Sequence, residues 1–253
     1  CLGACTYLTY RIFIQRRFFI QHMLLLLLTL YGLYLIKIYI LLTFLPAAIL
    51  WVAMMNFVKI RVPALKILIA PFVITAAIVL AYVAMIKAGE ENPKYSIKKL
   101  AETATVTAYD IRYWTGKEAG SGYTLGELDG SFNSMLRLTP QAINVSLFRP
   151  YLWEVKNPLM LLSALESLAF FFGVMYLLIR RNRFVFTSLT NPNILFGIIF
   201  SLTFAFAVGV STYNFGTLMR YKIPMLPVFV VALIMINDYA KSRNTLVEFE
   251  TTE

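Results

Sequence analysis

The sequence predicts an all-α, polytopic membrane protein with about six transmembrane helices and one extracytoplasmic loop of about 70 residues. The 253 residues are 59% hydrophobic and only 14% charged, whereas charged residues make up about 25% of an average soluble domain. The apolar residues form runs of roughly 20 residues, which is the length that an α-helix needs to cross a bilayer. Basic residues flank these runs, as topology signals do.

The first part of the chain leaves two arrangements open. The apolar start, residues 1–10, is interpreted as the tail of an earlier helix of a longer chain. Residues 18–36 form the first full run, and a second run follows Lys37 as far as Phe57. Either two helices meet at a very tight turn at Lys37, or one long bent helix carries Lys37 with its charge snorkelling to the interface.

The remaining elements follow from changes in composition. A third helix is predicted over residues 65–85, and a soluble-like segment with several glycines follows it. Within that segment, residues 96–110 fit a short amphipathic helix. Asn157-Pro158 is a typical helix start, and three more helices are predicted over residues 157–179, 194–210 and 224–236. The resulting domains are N-terminal transmembrane helices, an extracytoplasmic loop, C-terminal transmembrane helices and a cytoplasmic tail: residues 1–86, 87–156, 157–240 and 241–253.

The basic clusters predict the orientation in a bacterial cytoplasmic membrane. If two helices precede Phe57, the clusters around Arg16, Lys59, Arg180 and Lys241 all fall on the cytoplasmic side. The long loop then lies outside. If only one helix precedes Phe57, every later assignment inverts.

Several classes of chemistry are not expected from this sequence. It contains no P-loop, no nucleophile elbow and no metal-ligand cluster. The cysteines are Cys1 and Cys5 and the single histidine is His22, from which no zinc-ligand spacing can be built, and we therefore expect no metal and no cofactor. The net charge of +10 does not indicate nucleic acid, because most basic residues flank apolar runs.

Glu166 is the most informative single residue. It lies about eight residues into the fourth predicted helix, where an ionisable group costs at least ~2.5–3.5 kcal/mol. Such a group is usually paired or faces a polar cavity. Ser163 and Ser167 lie near it on the helix surface. Glu166 is therefore predicted either to contact substrate or to form a structural pair across helices.

Two groups at the predicted outer face are candidates for binding an anion. Arg149, Trp153 and Glu154 lie where the loop returns to the bilayer, and Arg220 and Lys222 precede the last helix. Arginine matches the geometry of phosphate, so together they could frame a pocket for a lipid-linked diphosphate. The alternatives are an aromatic belt for the first group and a snorkelling anchor for the second.

Two stretches carry a resemblance to a known group of proteins. The first is residues 147–166, with Phe148-Arg149-Pro150, Trp153-Glu154 and Ser163-Ala164-Leu165-Glu166, and the second is residues 214–224, with Asn214-Phe215-Gly216-Thr217. They resemble a family of polytopic bacterial proteins frequent in Bacteroidota-like genomes. More loosely, the chain is similar to membrane glycosyltransferases and O-antigen polymerases of surface-polysaccharide pathways.

The resemblance implies a polyprenyl-diphosphate-linked glycan handled at the outer face of the membrane. Such glycosyltransferases typically keep a catalytic carboxylate in their first extracytoplasmic loop, which would lie before Cys1, so no catalytic residue is carried over. Polymerases use outer-face arginines, which Arg149 and Arg220 match in kind but not by motif.

Three functions stay open at this point. The first is a glycosyltransferase or polysaccharide polymerase that contacts membrane lipid and the lipid-linked glycan. The second is a non-enzymatic subunit that scaffolds an envelope complex through its loop. A transporter ranks last, because no inverted repeat is evident.

Overall fold

The computed structural model describes residues 1–17, 19–58, 97–110, 121–127 and 129–251, together with Tyr113 and scattered residues between 71 and 90. About 84% of the structure is helical, and the described residues contain no strand. The all-α class is therefore confirmed. The predicted third helix, residues 65–85, lies mostly outside the described residues.

The long helices have the character of membrane spans. Among the described residues, three segments are long and apolar enough to cross a membrane: Ile20–Phe57, Pro158–Arg181 and Pro192–Thr212. A fourth is added if the bent pair Phe215–Tyr221 and Leu226–Arg243 forms one span. The total of six helices stays a prediction.

The chain divides into two compact units, Cys1–Glu91 and Asn92–Glu253. In the first unit, α1 spans Leu2–Thr9 and continues into a π-helical turn at Tyr10–Ile14. Helix α2 spans Ile20–Val58. Lys37 is the residue inside α2 whose backbone leaves the helical region, with φ −155° and ψ 90°.

The contacts of α1 show that α2 folds back at Lys37. A Cβ on Gly32 would lie 3.7 Å from the Cys1 sulfur, and Cys5 bonds to Thr29, so α1 runs antiparallel to the first half of α2. Tyr10 therefore lies beside a part of α2 that precedes Thr29 in the chain. In a straight helix Trp51 would be more than about 33 Å from that part, yet the Tyr10 and Trp51 rings stack with centroids 6.2 Å apart. Of the two arrangements left open, the structure has the tight turn.

The second unit contains seven α-helices in its described part: α3 Ile97–Asp110, α4 Phe132–Arg137, α5 Thr139–Phe148, α6 Pro158–Ser188, α7 Pro192–Thr212, α8 Phe215–Tyr221 and α9 Leu226–Thr251. A 3-10 turn, Leu152–Glu154, lies between α5 and α6. The last helix, α9, packs against both α6 and α7, and α5 packs mainly on α7.

Two predicted boundaries are confirmed, one of them by a helix cap. The Asn157 side chain accepts a hydrogen bond from the Met160 amide at 2.8 Å and begins α6, as its sequence predicts. Helix α3 begins within one residue of the predicted position. Its predicted apolar face is buried at Ala101 and Ala104.

Other boundaries were wrong. Helix α6 does not end at its arginine cluster but continues to Ser188, because arginine is itself a good helix former. The last helix begins at Leu226 and runs well beyond residue 236. Helix α8 was not predicted, since its seven residues show no clear period.

The predicted loop contains more helix than its composition suggested. Helices α4 and α5 lie in the part predicted as irregular. Gly126 and Gly130 adopt positive φ, and the chain bends at Gly130. The Asp129 carboxylate accepts a hydrogen bond from the Ser131 amide at 2.7 Å, which stabilises this bend.

Small residues let α5 approach α7 closely. A Cβ on Gly209 of α7 would lie 2.3 Å from the Ala142 carbonyl oxygen of α5. One turn away on each helix, the Ser146 hydroxyl donates to the Ala205 carbonyl at 2.7 Å. This contact holds the end of α5, and hence Arg149 directly after it, against the long helices.

Candidate functional site

The candidate residues come to one end of the second unit, where α6 begins and α7 ends. Arg149, Trp153 and Glu154 lie in the segment that enters α6, and Glu166 lies in the third turn of that helix. Arg220 and Lys222 lie in and directly after α8, which follows the end of α7. The arginines and lysines near residues 180 and 241 lie toward the opposite end of the same helices.

Arg149 and Glu154 form a bidentate ion pair. The Arg149 Nε donates to both carboxylate oxygens, at 3.0 and 3.1 Å, and Nη2 also contacts Oε1. The Tyr151 amide donates to Glu154 Oε2 at 2.8 Å. Burial alone would raise the pKa of Glu154, but the hydrogen bonds from Arg149 and Tyr151 outweigh it and hold that pKa below its ordinary value. The carboxylate is therefore ionised, and both side chains are only 20% exposed.

Three aromatic rings surround the Arg149 guanidinium. Its central carbon lies 5.8 Å from the Tyr123 ring centroid, 5.7 Å from that of Tyr151 and 5.3 Å from that of Phe215. These distances fit cation–π attraction. Tyr151 in turn stacks on Trp153 at 4.8 Å, and Trp153 is 81% exposed. The guanidinium is thus fixed, while the indole faces outward.

Tyr123 is held by the break between α7 and α8. Its amide donates to the Tyr213 carbonyl at 3.0 Å, within an isolated antiparallel bridge. Its hydroxyl lies 2.6 Å from the Thr212 hydroxyl and donates to the Gly209 carbonyl at 3.1 Å. Burial raises the pKa of Tyr123 to about 12, so the phenol is neutral at physiological pH.

Lys222 and Glu166 form a second ion pair. The Lys222 Nζ lies 2.8 Å from Glu166 Oε1, although the angle is not that of a well-directed hydrogen bond. Lys222 is only 1% exposed, whereas the Glu166 side chain is 38% exposed. In the chain Lys222 lies between α8 and α9, whose axes differ by 68°, and its ammonium contacts α6. The structure therefore has the paired arrangement for Glu166.

Ser167 connects the two ion pairs. Its hydroxyl donates to the Arg149 carbonyl at 3.0 Å and lies 3.4 Å from the Lys222 Nζ. The Ser163 hydroxyl, one turn earlier, is buried and has no hydrogen-bond partner among the described residues. The serines predicted to flank Glu166 therefore lie in the same cluster.

Arg220 takes no part in these two ion pairs. It is exposed and makes no ion pair within the described part of the chain. Ser167 connects the other two cations, and a pocket framed by all three stays a prediction. Among the described residues, no group of three or more histidine, cysteine or acidic side chains could hold a metal ion.

Sequence reasoning missed the aromatic part of the site. Tyr123 and Phe215 contact Arg149 from distant segments, and no spacing in the sequence links them. The one available signal was Asn214, whose side chain accepts from the Gly216 amide at 2.8 Å and begins α8. Reading it as an N-cap would have predicted a short helix before Arg220.

Comparison with known proteins gives no relative: no protein-family model, curated protein or solved structure matches the chain. The fold and the site together define a helical protein with membrane-type apolar helices and two linked ion pairs at one end of its second unit.

Proposed function

We propose that this chain is a multi-pass protein of a bacterial cytoplasmic membrane that handles a polyprenyl-diphosphate-linked glycan at the outer face. The observation that carries the proposal is the pair of linked ion pairs at the end of the helices opposite the basic clusters. Buried and half-buried charges within membrane helices are costly, and they usually mark a binding site or a transport path.

The tight turn at Lys37 supports the proposed orientation. Two spans before Phe57, a third over residues 65–85 and three after the loop give six in total. The clusters around Arg16, Lys59, Arg180 and Lys241 then share the cytoplasmic side, in agreement with the positive-inside rule. In this topology Arg149, Glu166 and Lys222 belong to the outer half of the membrane.

The three cations have different roles in this proposal. Arg220 is exposed, and it makes the first contact with a diphosphate. Arg149 uses Nε and Nη2 for Glu154, and its Nη1 makes no hydrogen bond to a described residue, so Nη1 is left to bind a phosphate oxygen. Lys222 is buried, and it positions α8 and α9 through Glu166 rather than contacting the ligand.

Apolar side chains beside this site suit the polyprenyl chain. Leu159, Leu162 and Leu165 on the first turns of α6 are exposed, as is Trp153 before them. Tryptophan is enriched at the membrane–water interface. The headgroup would then lie at the arginines, and the isoprenoid would run along α6.

The direct test is binding of farnesyl diphosphate, with farnesol as the comparison, to the purified chain in nanodiscs. We expect Arg149→Ala and Arg220→Ala each to weaken diphosphate binding about tenfold, because each removes a charged contact worth ~1.5–3 kcal/mol. Arg180→Ala is the matched control, since it removes an exposed arginine near the other end of α6. Equal affinity of all three variants for farnesyl diphosphate would contradict the proposal.

A cellular test addresses the glycan. Cells that depend on this protein for surface glycan should lose it with Arg149→Ala or Arg220→Ala, while the variant protein stays in the membrane. Arg149→Lys distinguishes charge from geometry, because lysine cannot pair in a bidentate way. Normal surface glycan in both alanine variants would count against the proposal.

The exposed Trp153 also favours a second candidate function, a non-enzymatic subunit of an envelope complex. An exposed tryptophan is a typical anchor of protein interfaces. If the chain is such a subunit, Trp153→Ala should abolish co-purification with partner proteins. Neither the wild type nor this variant should bind farnesyl diphosphate. Purification of the wild-type chain as a solitary monomer would exclude this candidate.

A further inference from the structure

A cleft lined by four tyrosines lies between α3 and the segment 121–127. Its volume is about 270 Å³, and Tyr109, Tyr113, Tyr123, Tyr213 and Glu127 line it. This volume is close to the lower end of small-molecule sites, ~300–1,000 Å³. We call it the tyrosine cleft, and it is wide enough for a small ring rather than for a chain.

Tyr213, which lines this cleft, carries an unsatisfied hydroxyl. The residue is 1% exposed, and its hydroxyl has no hydrogen-bond partner among the described residues. By contrast, the neighbouring Tyr123 hydroxyl is satisfied by Thr212 and Gly209. Buried polar groups are rarely left without a partner, so an orphaned phenol at a cleft indicates a missing ligand group.

The other lining groups offer two kinds of contact. Tyr109 and Tyr113 are exposed, with ring centroids 4.6 Å apart and planes tilted by 42°. Such rings present apolar faces to a ligand. Thr105, Thr124 and the exposed Glu127 add hydroxyl and carboxylate oxygens. A ligand with an apolar face and several hydroxyls at its edge would use both kinds.

A sugar ring has this combination, because its axial C–H groups form an apolar face and its hydroxyls lie around the edge. The competing ligand for tyrosines with a carboxylate is a quaternary ammonium ion. That cation could not satisfy the Tyr213 hydroxyl. The Arg149 guanidinium, 5.8 Å from the Tyr123 ring that lines the cleft, also disfavours a second positive charge.

We propose that the tyrosine cleft binds one pyranose ring of the glycan, while the diphosphate is held at Arg149 and Arg220. This inference rests on the proposed function, and it assigns the sugar to a part of the chain separate from the anion site. Tyr123 joins the two, since it lines the cleft and Arg149 lies over its ring.

The experiment measures sugar binding to the full chain in nanodiscs by saturation-transfer NMR. The probes are glucose, galactose, N-acetylglucosamine and the trisaccharide of N-acetylglucosamine, with tetramethylammonium as the competing cation. We expect saturable binding of at least one sugar and none of tetramethylammonium. Absence of sugar binding, or binding of the cation in its place, would overturn the proposal.

Tyr213→Phe separates binding from folding. Removal of the orphaned hydroxyl should leave the thermal stability of the free protein unchanged or raise it, because no internal hydrogen bond is lost. The same change should weaken sugar binding about three- to tenfold, because the bond to the ligand is lost. Unchanged sugar affinity in Tyr213→Phe would overturn the assignment of this hydroxyl.

Tyr109→Ala and Tyr109→Phe form a matched pair. Alanine removes the exposed ring and should abolish saturable sugar binding, whereas phenylalanine keeps the ring and should retain it. Neither variant should alter the affinity for farnesyl diphosphate, because this ligand carries no sugar. Equal sugar affinity in wild type and Tyr109→Ala would refute the cleft.

Farnesyl diphosphate also separates this proposal from the proposed function. If farnesyl diphosphate binds and no sugar does, the cleft assignment fails while the anion site stands. If sugar binds and the diphosphate does not, the lipid-linked substrate is wrong while the cleft remains a sugar site.

Discussion

Removing Lys222 and removing Glu166 should lower the free energy of unfolding by different amounts, because the two members of this ion pair are buried to different extents. The change is Glu166→Leu or Lys222→Met, each alone and then both together. Lys222 is 1% exposed, whereas the Glu166 side chain is 38% exposed. Removing the more exposed member should therefore cost more, because it leaves the buried charge without a counter-ion.

The magnitudes follow from the cost of an unpaired buried charge. Breaking a fully buried pair costs about 3–5 kcal/mol. Glu166→Leu leaves the ammonium with only a 3.4 Å contact to Ser167, and should lower the free energy of unfolding by about 3 kcal/mol. Lys222→Met leaves a carboxylate that water still reaches, and should cost about 1 kcal/mol.

The double variant provides the control. Replacing both members of a buried pair with apolar side chains is often neutral. We expect Glu166→Leu/Lys222→Met to lie within about 1 kcal/mol of wild type and to be more stable than Glu166→Leu. Unfolding in mixed micelles, followed by circular dichroism, measures all four proteins. A larger loss for Lys222→Met than for Glu166→Leu, or additive losses in the double variant, would refute the reasoning.

Three further outcomes are expected. Gly209→Ala should lower the free energy of unfolding by at least about 1–3 kcal/mol, because its Cβ would lie 2.3 Å from the Ala142 carbonyl oxygen; Gly3→Ala, which meets nothing within 4 Å, is the control in the same unfolding assay. Glu154→Gln should cost about 1 kcal/mol at neutral pH and remove part of the acid sensitivity. The pKa of Glu154 is lowered in the folded state, so its stabilisation is present above the ordinary carboxylate pKa and is lost as pH falls through the lowered value; acid titration of both proteins measures this. The pKa of Tyr123 is about 12 in the folded state and 10.0 ordinarily, so the tyrosine of the unfolded chain ionises first and the free energy of unfolding falls between pH 10 and 12. Tyr123→Phe should lessen this fall, which unfolding curves at alkaline pH measure.

Helices whose ends are set by local chemistry could be predicted from the sequence. The side chain of Asn157 caps α6 whatever lies around it, and the helical spacing of the apolar residues along α3 fixes its buried face. The end of α6 could not be placed in the same way. Arginines mark where a membrane span ends, but the backbone remains helical through them because they do not interrupt i to i−4 hydrogen bonding.

Lys37 shows a different limit. The runs on either side of it are both strongly apolar, so hydropathy alone fits a turn or a bend equally well. A single residue with non-helical dihedrals reverses the chain, and the contact that reveals this joins Tyr10 to Trp51. Such a contact depends on the packing of α1, which no local pattern specifies.

The sequence also limits which cations can pair with Glu166. A carboxylate in an apolar helix requires a counter-charge, and Arg149, Arg220 and Lys222 were the cations expected at the same end. Arg220 and Lys222 are two residues apart, so on a continuous helix their side chains would point about 200° apart. If one faces the helix bundle, the other must face away from it. The sequence did not supply α8 or the break after it, so it could not show which of the two is buried; in the structure Lys222 is buried and Arg220 is exposed.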